Sequence, residues 1–104
     1  MTYLELVALL KTLGHPVTYD TFDEPQSPPF ITILSVDNDD LIADNINYLD
    51  IENFQIELYQ TKYYPPVEKE LDNLFKENGL AYDKSRSPIP DEDLHQTVYE
   101  ISLI

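Results

Sequence analysis

His15 and His95 are the only side chains of this sequence that titrate near neutrality in ordinary surroundings, and no cysteine accompanies them. Without cysteine there is no thiol nucleophile, no Cys-ligated zinc and no disulfide. His15 stands between Gly14 and Pro16, where a cationic group suits the carbonyl end of a helix. His95 stands at the start of a β-forming run. No serine sits in a nucleophile elbow, and two glycines are too few for a phosphate-cradling loop. Carboxylates abound, but paired-acid catalysis needs two of them in one cleft with their pKa values pushed apart, and here most fall in turns. Asp37-Asn38-Asp39-Asp40 opens like a calcium loop. An EF-hand would then need a ligand at the fifth position, glycine at the sixth and glutamate at the twelfth, where this chain has Leu41, Ile42 and Tyr48. No catalytic residue, cofactor site or metal site is expected, and the chain is not expected to be an enzyme.

Surface chemistry is what remains. Three of the eight tyrosines, Tyr59, Tyr63 and Tyr64, gather beside Pro65 and Pro66. Tyrosine covers apolar surface while keeping a hydrogen-bonding tip, a combination suited to protein interfaces and equally to the rim of a small core. Twenty acids against six bases give a net charge of −14, which argues against DNA or RNA binding and against adhesion to an anionic membrane. Between Lys11 and Lys62 there is no Lys or Arg, while ten acids fall there, Asp37, Asp39 and Asp40 among them. That block makes one strongly negative region, serving solubility, a partner with a basic surface or a channel that must not hold DNA. Tyr59, Tyr63, Tyr64, Asp37, Asp39 and Asp40 are the candidate interface residues.

The chain of 104 residues makes one domain, residues 1–104. No apolar run approaches the roughly 18 residues of a membrane span, and Thr2-Tyr3-Leu4-Glu5 lacks the basic start of a signal peptide, so a soluble intracellular protein is expected. Thr2 and Glu5 make a capping pair, and Tyr3, Leu6, Val7, Leu10 and Leu13 recur at helical spacing, predicting a helix over 3–13 that Gly14 and Pro16 stop. Val17 to Phe22 is a short extended piece, followed by a proline loop over 23–29. Phe30 to Val36 is the strongest strand, apolar throughout and so expected at the centre with both faces covered; 37–40 is a turn. Leu41 to Leu49 is a weak edge strand or an ordered loop, and 50–53 a break. Phe54, Ile56 and Leu58 alternate with polar residues as in a half-buried antiparallel strand.

Pro65-Pro66 opens a second helix with a Val67, Leu71, Leu74, Phe75 stripe, an Asp72–Lys76 pair at i, i+4, and a glycine-capped end at Asn78-Gly79-Leu80. A strand over 81–86, a loop over 87–93 and a final strand over 94–103 follow. The fold class is α+β: a mostly antiparallel sheet with two helices on one face, in the order α-β-β-(β)-β-α-β-β. Its core should hold Leu6, Leu10, Ile31, Ile33, Phe54, Ile56, Leu71, Leu74 and Ile101.

Along this chain come Pro28-Pro29-Phe30-Ile31-Thr32-Ile33, Ala43-Asp44-Asn45, Tyr48-Leu49 and Gln55-Ile56-Glu57-Leu58-Tyr59. Glu68, Leu71, Leu74, Tyr82-Asp83-Lys84 and Leu94-His95-Gln96-Thr97-Val98-Tyr99-Glu100 complete the pattern. With the first helix and Tyr19, the whole resembles the tail terminator, or tail completion, proteins of long-tailed phages and prophages of Gram-positive bacteria. The resemblance implies a structural protein forming a ring, usually a hexamer, on the end of the tail tube. Its partners would be the tail tube protein, the head-completion protein and further copies of itself, with DNA passing through the ring unbound. Its place would be the virion tail, and the host cytoplasm during assembly. A competing expectation of another class is an acidic DNA mimic, an inhibitor whose carboxylates imitate phosphates.

Overall fold

A computed structural model describes residues 1–19, 26–36, 52–90 and 93–103, and the backbone of 37–38, 41–43 and 46–49. Helix α1 (Tyr3–Lys11) starts at Thr2, whose hydroxyl accepts the Glu5 backbone N–H at 3.2 Å and donates to the Glu5 carboxylate at 3.2 Å. It ends two residues earlier than the sequence predicts. The Thr12 hydroxyl donates to the Leu9 carbonyl at 2.6 Å, the N–H groups of Leu13 and Gly14 bond three residues back, and Gly14 turns to φ 86°. That tightened turn uses up the last carbonyls.

Strand β1 (Val17–Tyr19) lies parallel to β2 (Phe30–Asn38), where the Ile31 N–H donates to the Pro16 carbonyl at 2.8 Å. Strands β3 (Leu41–Ala43) and β4 (Ile46–Leu49) pair with each other as a separate two-stranded sheet, so the weakly patterned stretch is a hairpin and adds a strand to the expected order. Strand β5 (Glu52–Gln60) is antiparallel to β2, and helix α2 (Pro65–Glu77) follows it. Strands β6 (Tyr82–Ile89) and β7 (Leu94–Leu103) complete a five-stranded sheet of order β1-β2-β5-β7-β6. The fold is α+β with a mostly antiparallel sheet.

Three expectations are corrected. The centre is β5, whereas β2 lies one place from the edge beside a three-residue strand. Its apolar run is covered unevenly: Ile31 and Ile33 are fully buried under the helices, whereas on the other face cover fades along the strand, from Thr32, which is buried, through half-buried Leu34 to Val36, 54% exposed. Part of the turn expected over 37–40 and of the break over 50–53 is strand, because pairing continues past a bulge between Ser35 and Asp37 to Asp37 opposite Asn53 and Asn38 opposite Glu52; residues 39–40 and 50–51 lie outside the described residues. The loop expected from Ser87 starts after Ile89, since β6 is an edge strand in which Pro88 withdraws no inner ladder donor. The expected extended run to Phe22 is strand as far as Tyr19; its remainder, and the loop residues 23–25, lie outside the described residues.

Cross-strand register sorts the side chains into two faces. Ile31 opposite Leu58, Ile33 opposite Ile56, and Phe54 and Ile56 opposite Ile101 and Tyr99 all point toward the helices. Leu6 and Leu10 of α1 and Val67, Leu71 and Phe75 of α2 fill the same cluster, with Tyr3 stacked on Phe54 at 5.6 Å. Both helices therefore cover one face. Leu74, expected in the core, is only half-buried at its margin, because Phe75 takes the inward position and meets Tyr99 edge-on at 5.2 Å. Gly79, at φ 69°, lets the Leu80 N–H reach the Phe75 carbonyl at 2.8 Å and closes α2 as its sequence predicts.

Candidate functional site

Two polar clusters stand out, one on each face of the sheet. Under α2, residues four apart on the helix meet residues two apart on the edge strand. Glu68, almost wholly buried, receives Arg86 through Nε at 3.0 Å and Nη2 at 2.6 Å, and Lys84 Nζ at 2.7 Å. Lys84 also reaches Asp72 at 3.0 Å, and the Tyr99 hydroxyl donates to Asp72 at 2.8 Å. Asp72 thus turns to the sheet instead of to Lys76. Burial opposes ionisation of Glu68, but hydrogen bonds from Arg86 and Lys84 and their charges outweigh it and hold its pKa at about 2. Burial, and then the bond to Asp72, push the Tyr99 hydroxyl far up. Every charge in this cluster is answered within it, which makes it a clamp between α2 and β6.

On the helix-free face, Phe30 stacks on Tyr59 with ring centroids 4.9 Å apart. The Tyr59 hydroxyl donates to Glu57, and Gln96 Nε2 donates to the same carboxylate at 2.6 Å and lies 3.0 Å from the Tyr59 hydroxyl. Glu57 is only 7% exposed, as is Thr32 opposite it at 6%. Burial first, and then the bond to Glu57 and its charge, raise the Tyr59 pKa to about 12.

The candidate tyrosines do not form one patch. Tyr59 belongs to the helix-free face. Tyr63 lies under the Arg86 guanidinium, 4.9 Å from ring centroid to carbon, and is 42% exposed. Tyr64 is the N-cap of α2, its carbonyl accepting from Gln60 Nε2 at 3.2 Å, with its ring exposed. Asp37 contributes its backbone to β2, while Asp39 and Asp40 lie outside the described residues. His15 Nε2 sits 3.3 Å from Glu70 and ties the end of α1 to α2; His95 is on β7 between Gln60 and Pro88.

Glu57, Gln96, Glu68 and Arg86 escaped the sequence reading. Glu57 occupies an outward position of an alternating strand, which signals solvent, and nothing local marks it as buried. Glu68 and Asp72 at i, i+4, with Lys84 and Arg86 at i, i+2, carried a usable signal: matched spacings of opposite charge on a helix and a strand that share a face.

Among the described residues, no three His, Cys, Asp or Glu side chains are grouped to hold a metal ion. No helix among them is long and apolar enough to cross a membrane. Compared with known proteins, the chain matches no family model and no curated protein.

Proposed function

We propose that this chain is the repeating subunit of a tail terminator ring, which ends the growing tail tube of a long-tailed phage or prophage and offers the filled head its attachment surface. The observation that carries the reading is where its resembling segments lie. Phe30–Ile33, Gln55–Tyr59, Leu94–Glu100 and Tyr82–Lys84 fall on β2, β5, β7 and β6, four successive neighbours in one sheet. These four segments of the pattern are thus neighbours in one sheet, with Glu68, Leu71 and Leu74 on the helix beside it, whereas Ala43 and Tyr48-Leu49 fall on the separate β3–β4 hairpin.

Two further features support it. The sheet ends on unlike edges, the three-residue β1 and the eight-residue β6. Contacts between unlike surfaces of identical subunits are the kind that close into rings. A net charge of −14 suits a ring through which DNA passes without sticking, because like charges repel.

The test is electron microscopy of particles assembled in cells from which this coding sequence is deleted. Tails of uncontrolled length beside full, unattached heads are expected, with infectious particles restored by a plasmid copy. Normal particles without the protein would overturn the reading.

A further inference from the structure

Strand β6 ends the sheet with its outer side bare. The Ile31 N–H donates to Pro16 on the β1 side, so the Ile31 backbone is turned away from β5. Strand alternation carries that phase along one row of the register, Ile31, Leu58, Thr97 and Arg86. Leu58 and Thr97 bond each other, and Arg86 turns its N–H and C=O outward. Tyr82 and Lys84 share its phase, and so does Pro88, which has no N–H to lose there. Among the described residues, no backbone bond beyond the sheet ladder involves Tyr82, Lys84 or Arg86, and residues 83–88 are all exposed.

An edge of this length is normally guarded by an outward charge or a covering segment. Here both cations of β6 are drawn over the helix face, Lys84 to Glu68 and Asp72, and Arg86 to Glu68. With those two acids they make a neutral group. The other face of the strand carries Asp83, Ser85 and Ser87, and Asp83 stands directly opposite Glu100 of β7. Like charges in that position repel. Among the described residues neither acid has an ion pair, and the residues outside the described set include no Lys, Arg or His. Two open clefts, of about 410 and 440 Å³, flank the pair, and Asp83, Glu100 and Ser102 line both.

We infer that the free edge of β6 docks an extended segment of a basic protein partner, which adds a strand beside Tyr82–Arg86 and sets a Lys or Arg side chain at Asp83 and Glu100. Main-chain bonds to Tyr82, Lys84 and Arg86 supply the attachment, and strand alternation supplies the selectivity. Cations fit the Asp83 side, and uncharged residues fit the side of the neutral clamp. A second copy of this chain is the poorer occupant. Its β1 is three residues long and uncharged, and its β6 keeps both cations on the helix face, so neither edge brings a cation to Asp83. The inference does not rest on the proposed ring, which other unlike surfaces of the subunit can close.

The test is amide hydrogen exchange, read by NMR on the full chain, with an acetylated and amidated peptide of alternating lysine and threonine. At saturation the amides of Tyr82, Lys84 and Arg86 should exchange more slowly by about tenfold or more. The same peptide N-methylated at every backbone amide keeps its charge and should slow them less than about twofold. Asp83→Lys should remove the protection that the unmethylated peptide gives. The methylated peptide tests the edge without any substitution, so the test holds even if that variant folds poorly. No protection, equal protection by both peptides, or protection retained in a folded Asp83→Lys would overturn the inference. So would a free protein whose three amides are already protected through self-association, since the occupant would then be a second copy.

Discussion

Arg86 on the outermost strand holds Glu68 of α2 in a fork, Nε to Oε2 at 3.0 Å and Nη2 to Oε1 at 2.6 Å. The two residues lie 18 apart in sequence, and their pairing joins the edge of the sheet to the helix that covers it. Because Glu68 is buried and Arg86 is not, the contact is a charge-assisted bond whose acceptor has no solvent to fall back on.

The fork sets an acid limit on the fold. Glu68 has a pKa of about 2 in the folded protein against 4.5 for an ordinary glutamate. A depressed pKa contributes stability that is fully present above the unfolded value and is lost as pH falls through that window toward 2. Urea unfolding between pH 6 and 2, on the order of one midpoint per pH unit, should show a fall that Glu68→Gln largely removes. At neutral pH the same variant should lose about 2 kcal/mol, less than a fully buried pair because Arg86 is half exposed. An unchanged acid profile in Glu68→Gln would show that the fork contributes nothing.

Leu71 and Leu74 should separate cleanly. Leu71 is fully buried between α2 and the sheet, so Leu71→Ala should cost about 2 to 5 kcal/mol in denaturant unfolding. Leu74 is half-buried at the margin, and Leu74→Ala should cost roughly 1 kcal/mol, since the space it vacates opens to water. Equal losses would mean that α2 is rotated about its axis, with Leu74 turned inward.

Association should respond to salt in a set direction. Subunits that each carry −14 repel most at low ionic strength, where screening extends over about 30 Å at 0.01 M against about 8 Å at 0.15 M. Sedimentation velocity from low to high salt should show a monomer giving way to larger species as salt rises. An oligomer that dissociates with salt would be held by ion pairs between subunits, and repulsion between like charges would not then govern its assembly.

The alternation in β5 and the 3.6-residue stripe of α2 were legible in the sequence, because both report a single buried side and nothing else competes with them. Phe54, Ile56 and Leu58 are buried as that pattern requires, and Val67, Leu71 and Phe75 likewise. The central position of β5 was not legible. An apolar run such as Phe30–Val36 measures how much a strand can bury, whereas its place in the sheet depends on pairings between residues as far as 49 apart and more, as in Asn53 beside Ser102. The candidate site divides the same way. Tyrosines close in sequence, Tyr59 and Tyr63, sit on opposite sides of the sheet, whereas Tyr59 and Gln96, 37 apart, touch. Strand alternation and the end of β5 separate the first pair; register joins the second.

The sheet order also dictates when this protein can finish folding. Strand β6 does not pair with β5, and β7, synthesised after both, fits between them. Until Leu94–Leu103 has left the ribosome, β5 offers an open hydrogen-bonding edge, and Phe75 lacks the Tyr99 ring it packs against. Between the emergence of β5 and that of β7 the nascent chain therefore carries an unsealed sheet, the state in which strand edges recruit the wrong partners. A translation stall before β7 would leave the β1-β2-β5 sheet with an open edge and β6 without a strand to pair with, fit for a chaperone or a protease and for neither face's chemistry.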